Sequence, residues 1–268
     1  IMSRYAKKFS ELKAKNEGAF IPFVMIGDPN PEASLEIIET LVESGADALE
    51  LGVPFSDPMA DGPIIQNAGV RAMNAGTNAA TSFEIIAKVR AKYPEIPIGL
   101  LMYANLVYRP TLETFYKKMA EIGVDSVLVV DVPLSEFKAF KEVATAHGIE
   151  SILIVPPNAS DETIRKTAEA AEGYIYLMSR SGTTGLNKAT DAGLPNLVKL
   201  IRSVTNVPIV QGFGISTKEQ VNDAIKMGVD GAISGSYIVS LIEKHHDNMD
   251  ELKAVLKNTV TALKSGTK

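Results

Sequence analysis

Two acidic residues carry most of the chemistry legible in this chain. Residues 48–63 run Ala-Leu-Glu-Leu-Gly-Val-Pro-Phe-Ser-Asp-Pro-Met-Ala-Asp-Gly-Pro. Glu50 stands inside an apolar run, and Asp61 ends the proline-punctuated loop that follows. Burying an ionised carboxylate is costly unless the charge is paired or used. A glutamate in an apolar setting has a raised pKa, which makes it a usable acid near neutral pH. Asp61, if better solvated, stays ionised, so two carboxylates in different environments can differ in protonation state. Asp61 before Gly-Pro is also an ordinary turn and helix-entry residue.

The elements that must position these groups follow from periodicity. Short apolar runs alternate with helix-period segments along the whole chain, the pattern of parallel strands joined by helices. Strands are expected at 21–26, 48–53, 98–102, 126–130, 151–155, 174–178, 208–211 and 231–234. Helices are expected between them, for example at 31–44, 112–122, 136–147, 161–171 and 218–227, with two more at 238–244 and 249–264. Gly45-Ala46-Asp47, Gly123-Val124-Asp125 and Gly228-Val229-Asp230 repeat one helix-to-strand junction, with Gly as the helix C-cap and Asp as the turn residue. Eight such units predict one (β/α)8 barrel domain over residues 1–268, with an extra N-terminal helix and a short extra helix after the eighth strand. An open doubly wound sheet is the alternative, but neither a Gly-x-Gly-x-x-Gly fingerprint nor a Walker-type phosphate loop occurs.

Side chains alternate between strand faces. Leu49, Leu51 and Val53 share the face that meets the helices, so Glu50 points into the barrel. The same parity turns Phe23, Leu101, Tyr103, Tyr174 and Tyr176 inward. A carboxylate, tyrosines and bulky apolar groups then converge, as in a pocket for a flat apolar ligand. Tyr176 is equally readable as barrel filling, because a buried tyrosine needs only a partner for its hydroxyl.

Glycine-containing stretches follow the last three strands: 181–185, 212–216 and 234–236. Loops in those positions hold phosphate in many barrels, and Gly235 with Ser236 would begin a helix whose N-terminus favours an anion. A net charge of -5 argues against nucleic acid or an anionic membrane as partner, so any anion is bound locally. No segment reaches membrane-span length, and residues 1–15 lack a secretory apolar core, so the cytoplasm is the expected setting. There is no cysteine, no strand carries a lysine, and the three histidines lie away from strand ends. Thiolate, Schiff-base and histidine-metal chemistry are therefore disfavoured. Acid/base chemistry without a cofactor, on a small phosphorylated substrate, is what remains.

Segment 48–63, Gly99-Leu100-Leu101-Met102-Tyr103-Ala104-Asn105, the run from Tyr176 to Gly185 and Gln211-Gly212-Phe213-Gly214-Ile215 resemble the tryptophan synthase alpha subunit family across nearly the whole chain. The resemblance implies a (β/α)8 barrel that cleaves indole-3-glycerol phosphate to indole and glyceraldehyde 3-phosphate. It implies Glu50 as general acid/base, Asp61 as the acceptor for the ring N–H, and Tyr176 as an assisting group. Phe23, Leu101, Tyr103, Thr184 and Phe213 would contact the indole, and Gly185, Gly214, Gly235 and Ser236 the phosphate. It implies no metal and no cofactor in this chain. Pyridoxal phosphate would belong to a beta subunit that receives the indole within an alpha2beta2 assembly, with Asp57, Asp131 and Pro133 at the interface. The loops at 54–62 and 180–193 would be lids sensitive to that partner. Another phosphate-binding barrel isomerase or synthase, or a non-catalytic barrel that activates a beta partner, are the alternatives.

Overall fold

The computed structural model describes residues 2–179 and 193–268. Nine parallel strand segments make a nearly closed barrel: β1 (Ala19–Met25), β2 (Leu49–Gly52), β3 (Ile98–Met102), β4 (Ser126–Val129), β5 (Glu150–Ser151), β6 (Leu153–Val155), β7 (Ile175–Met178), β8 (Ile209–Gly212) and β9 (Gly231–Ser234). Their order is β5-β4-β3-β2-β1-β9-β8-β7-β6. The fifth expected strand is broken at Ile152. β5 pairs with β4 and β6 with β7, so the two pieces form one stave that joins the sheet's ends. The Ile152 N–H still reaches the Val127 carbonyl, but at 3.3 Å, and the ladder is stretched there.

The helices are α1 (Arg4–Ala14), α2 (Pro31–Glu43), α3 (Pro63–Asn74), α4 (Ala79–Lys92), α5 (Ala104–Val107), α6 (Leu112–Ile122), α7 (Lys138–Ala146), α8 (Asp161–Ala170), α9 (Gly193–Val204), α10 (Lys218–Met227), α11 (Ser236–His245) and α12 (Met249–Ser265). Strand alternation splits the apolar residues as parity requires. Ile21, Phe23, Met25, Leu128, Ile152, Tyr174 and Val210 cluster inside the barrel. Val24, Leu49, Leu51, Leu100 and Val127 cluster with the outer helices. α1 covers the N-terminal end of the strands. Its Tyr5 is buried, meets the Tyr174 ring edge-on at 5.4 Å and shares a 2.8 Å hydrogen bond with Ser126.

The repeated Gly-x-Asp junction does more than turn the chain. Each glycine takes the left-handed conformation, with φ of 116° at Gly45, 84° at Gly123 and 117° at Gly228. Each aspartate accepts a 2.8 Å hydrogen bond from the first residues of the neighbouring strand: Asp47 from the Phe20 N–H, Asp125 from Ile98 and Asp230 from Ile209. Each also holds a cation: Lys264 for Asp47, Arg90 and Arg4 for Asp125, and Arg202 for Asp230. The expected turn residue is therefore a clamp between adjacent staves at the N-terminal ends of the strands. Asp125→Asn should lower unfolding free energy by about 3 kcal/mol, the scale for breaking a largely buried pair. Specific activity of the folded fraction should not change. Urea titration measures this, and a loss below about 0.5 kcal/mol would return Asp125 to the ordinary surface class.

Candidate active site

Glu50 projects from β2 into the barrel, with Phe23 of β1 and Gly99 of β3 as its ladder neighbours. It is 2% exposed. Burial pushes its carboxyl up to about 8, against a weaker opposing effect of the Tyr174 hydroxyl. Among the described residues no basic side chain offsets that burial. Gly99 makes the arrangement possible. A Cβ there would lie 2.6 Å from the Ser126 Oγ and 2.7 Å from the Tyr5 hydroxyl, so the Tyr5–Ser126 bond fills that space.

Tyr176 faces inward from β7, next to Ile154 and Val210. Its hydroxyl lies over Gly212, where a Cβ would come within 2.3 Å of it. Burial first, and the Glu50 charge second, hold that hydroxyl well above its ordinary pKa, which keeps it a hydrogen-bond donor. Phe23 and the half-buried Leu101 belong to the same interior cluster as Tyr176. These residues meet as parity requires.

Asp61 ends the loop after β2 and is half-buried. Burial raises its pKa and the Tyr103 hydroxyl opposes the rise. It is thus less solvated than the sequence suggests, though far less buried than Glu50. Tyr103 holds this loop. Its oxygen accepts the Ala60 N–H at 3.0 Å, and its ring stacks on Phe55 at 5.0 Å. Its own hydroxyl is pushed up to about 12 by burial and by the Asp61 charge. The Gln66 amide adds a 2.7 Å bond to the Asp61 carbonyl. Expected as an indole contact, Tyr103 spends its hydroxyl on positioning Asp61.

The loop after β8 is held at both ends. Ser179 reaches the Gly212 and Phe213 carbonyls at 3.1 and 3.0 Å, and Ser234 donates to the Ile215 carbonyl at 2.6 Å. Between these anchors Phe213 takes φ 81°, uncommon for a residue with a side chain, and Gly214 takes φ 72°. Phe213 is 52% exposed at the barrel rim, unlike the enclosed Phe23. α11 begins at Ser236 with Gly235 as its N-cap and no side-chain cap. α3, which follows Asp61, likewise starts from Gly62 without one. By contrast α2, α4, α6, α8 and α12 are capped by Asn30, Asn78, Thr111, Ser160 and Asn248. The uncapped N–H groups of α11 suit an external anion. Thr184 and Gly185, with the loop at 180–192, lie outside the described residues.

Asp57, Asp131 and Pro133 are all exposed, and Met59 on the Asp61 loop is 92% exposed. Asp131 also accepts the Ala104 N–H at 2.8 Å, fixing the start of α5. Sequence reasoning missed a three-carboxylate-oxygen grip by Arg71 of α3. Its Nε and one terminal nitrogen bond both oxygens of buried Asp28 at 2.8 and 3.0 Å, and the other terminal nitrogen bonds Glu243 of α11 at 3.1 Å. Asp28-Pro29 after a strand reads as a turn, and partners 43 and 172 residues from Arg71 leave no local pattern. Among the described residues no group of three His, Cys, Asp or Glu is arranged to hold a metal ion, and no helix is long and apolar enough to cross a membrane.

Comparison with known proteins agrees with this geometry. A family model described as the tryptophan synthase alpha chain matches residues 9–268. The tryptophan synthase alpha chain of Sodalis glossinidius is 51% identical over 267 residues, covering 100% of both chains. That of Actinobacillus pleuropneumoniae is 52% identical over 268 residues, again covering 100% of both. Among solved structures, the Legionella pneumophila alpha subunit superposes with a TM-score of 0.90 at 28% identity, covering 100% of this chain and 99% of that one. A chain of the Pyrococcus furiosus tryptophan synthase a2b2 complex gives 0.84 at 33% identity, covering 93% and 98%. Matched nearly end to end by the family model and at half identity by full-length relatives, the chain belongs to the tryptophan synthase alpha chain family.

Proposed function

We propose that this chain, folded as one barrel domain, cleaves indole-3-glycerol phosphate by a retro-aldol route in which Glu50 moves both protons. The carboxyl of Glu50 protonates the indole carbon that bears the glycerol chain, giving a ring iminium. The Asp61 carboxylate accepts the ring N–H and stabilises the positive charge. Ionised Glu50 then takes the proton of the adjacent side-chain hydroxyl. The carbon–carbon bond breaks, its electron pair restores the aromatic ring, and indole and glyceraldehyde 3-phosphate leave. Glu50 ends protonated, as it began. The supporting observation is a carboxyl buried at the barrel interior and held at about 8, so that it carries its proton at neutral pH.

Phe23 and Leu101 would pack the ring, Phe213 would cover it at the rim, and Tyr176 would donate from the wall. Gly185, Gly214, Gly235 and Ser236 would bind the phosphate through backbone N–H groups, and Thr184 would contact the indole. This chain needs no cofactor in the reaction; pyridoxal phosphate belongs to a beta partner. The Pyrococcus furiosus relative is described as part of an a2b2 complex. We infer the same assembly here, with Asp57, Asp131 and Pro133 against the beta subunit, and a cytoplasmic setting for both. Indole release from indole-3-glycerol phosphate, assayed with and without a beta subunit, tests the reading. Turnover is expected in both conditions and faster in the complex. No indole in either would overturn it.

A further inference from the structure

We infer that Arg71 is a positioning residue that ties the last turn of α3 to the last turn of α11, so that an anion bound at the start of α11 steadies Asp61 through the two linked helices. The inference rests on the reading above, in which α11 holds phosphate and Asp61 serves the ring. It draws on contacts that neither role requires.

Arg71 touches three segments, and each leads to a different part of the site. α3 carries Arg71 itself and begins two residues after Asp61. The β1–α2 loop carries Asp28, just beyond the strand that presents Phe23. α11 carries Glu243 and begins at the proposed phosphate ligands. Arg71 lies eight residues into α3, and Glu243 seven residues into α11. At 1.5 Å per residue these are ~12 and ~10 Å from the two helix starts, so the pair joins the far turns of the two helices and acts on their N-termini through the helix axes. Only a planar fork can serve Asp28 with two parallel bonds and Glu243 with a third. Asp28 is 1% exposed, which makes that side of the fork rigid. Glu243 is roughly half-exposed, so the link to α11 can be cut without opening the core.

The test uses the full chain, inorganic phosphate as the probe, and amide hydrogen exchange as the readout. In the wild type, saturating phosphate should slow exchange at 235–239 and also at 54–62. In Glu243→Gln it should still slow 235–239, while the protection of 54–62 falls by about threefold, the scale of a half-exposed ion pair. kcat should fall by a similar factor with KM within about twofold, because a misplaced Asp61 costs transition-state charge stabilisation and not phosphate binding. Arg71→Lys keeps the charge and loses the fork, and should lower kcat further, by about tenfold. Equal protection of 54–62 in wild type and Glu243→Gln would overturn the assignment. So would a lower melting temperature with unchanged kcat. Absence of protection at 235–239 in the wild type would instead fault the phosphate site and remove the basis for both.

Discussion

Glu50→Gln will keep the barrel and lose at least about 10²-fold in kcat, the lower range for removing an acid/base group. The amide fills the same space but neither gives the ring carbon a proton nor takes one from the hydroxyl. Turnover within tenfold of wild type would move the proton transfer to another group. The same substitution should raise stability, and the sign follows from linkage. Burial raises the folded pKa of Glu50 from 4.5 to about 8. The folded state therefore binds this proton more tightly than the unfolded chain. The stability tied to it is fully present below about 4.5 and is lost as pH rises through about 8. A glutamine has no such loss. The two proteins should be equally stable at pH 4, and the variant should lead by up to about 5 kcal/mol above pH 8, at 1.36 kcal/mol per pH unit. Urea titrations across that window measure the difference, in which the other titrating groups cancel. A difference that stays flat with pH would mean that Glu50 is not held protonated. For the wild type, kcat/KM should fall as pH rises past about 8, because the acid form is consumed.

The interior of the barrel was legible in the sequence because strands obey a period of two and the test residue was polar. One glutamate among Leu49, Leu51 and Val53 fixes the facing of β2, and its ladder partners Phe23 and Gly99 then follow. The helices were legible where turn glycines mark their ends, as at Gly45, Gly123 and Gly228, all three of which take the left-handed conformation. What escaped were contacts between segments. The Asp47 carboxylate bonds an N–H 27 residues back on the neighbouring strand, so its local sequence shows only a turn. Strand parity turns Tyr103 inward, but nothing in it says that a loop 43 residues earlier will also take its hydroxyl. Arg71 escaped for the same reason. Periodicity reports which face a residue occupies, and family resemblance reports what it does, but neither reports the shell of hydrogen bonds that sets an active loop at its working height. Among the described residues that shell includes Tyr103 and Gln66 for the Asp61 loop and Ser179 and Ser234 for the loop after β8, residues with no unusual local setting.

Gly235→Asp should raise KM for the phosphorylated substrate by at least about 10²-fold, whereas Gly235→Ala should change it by less than about threefold. The structure separates sterics from charge at this position. Gly235 has φ -114°, which any L-residue adopts. A Cβ there would meet Phe23 at 3.5 to 3.8 Å, ordinary contact distance. An alanine therefore fits, and it leaves the first-turn N–H groups of α11 open. An aspartate fits almost as well, and its carboxylate caps those N–H groups, worth only a few tenths of a kcal/mol over glycine. That cap is what harms binding: the carboxylate occupies the donors that the phosphate would use. It also sets like charges together, at ~4 kcal/mol for 4 Å and an effective dielectric of 20, which solvent at the rim reduces. Stability and affinity should thus move in opposite directions in one variant. The melting temperature should rise or hold while KM climbs, and inorganic phosphate should no longer compete with substrate. Equal KM values for the alanine and aspartate variants would place the phosphate elsewhere, because only charge distinguishes the two side chains at a position where both fit.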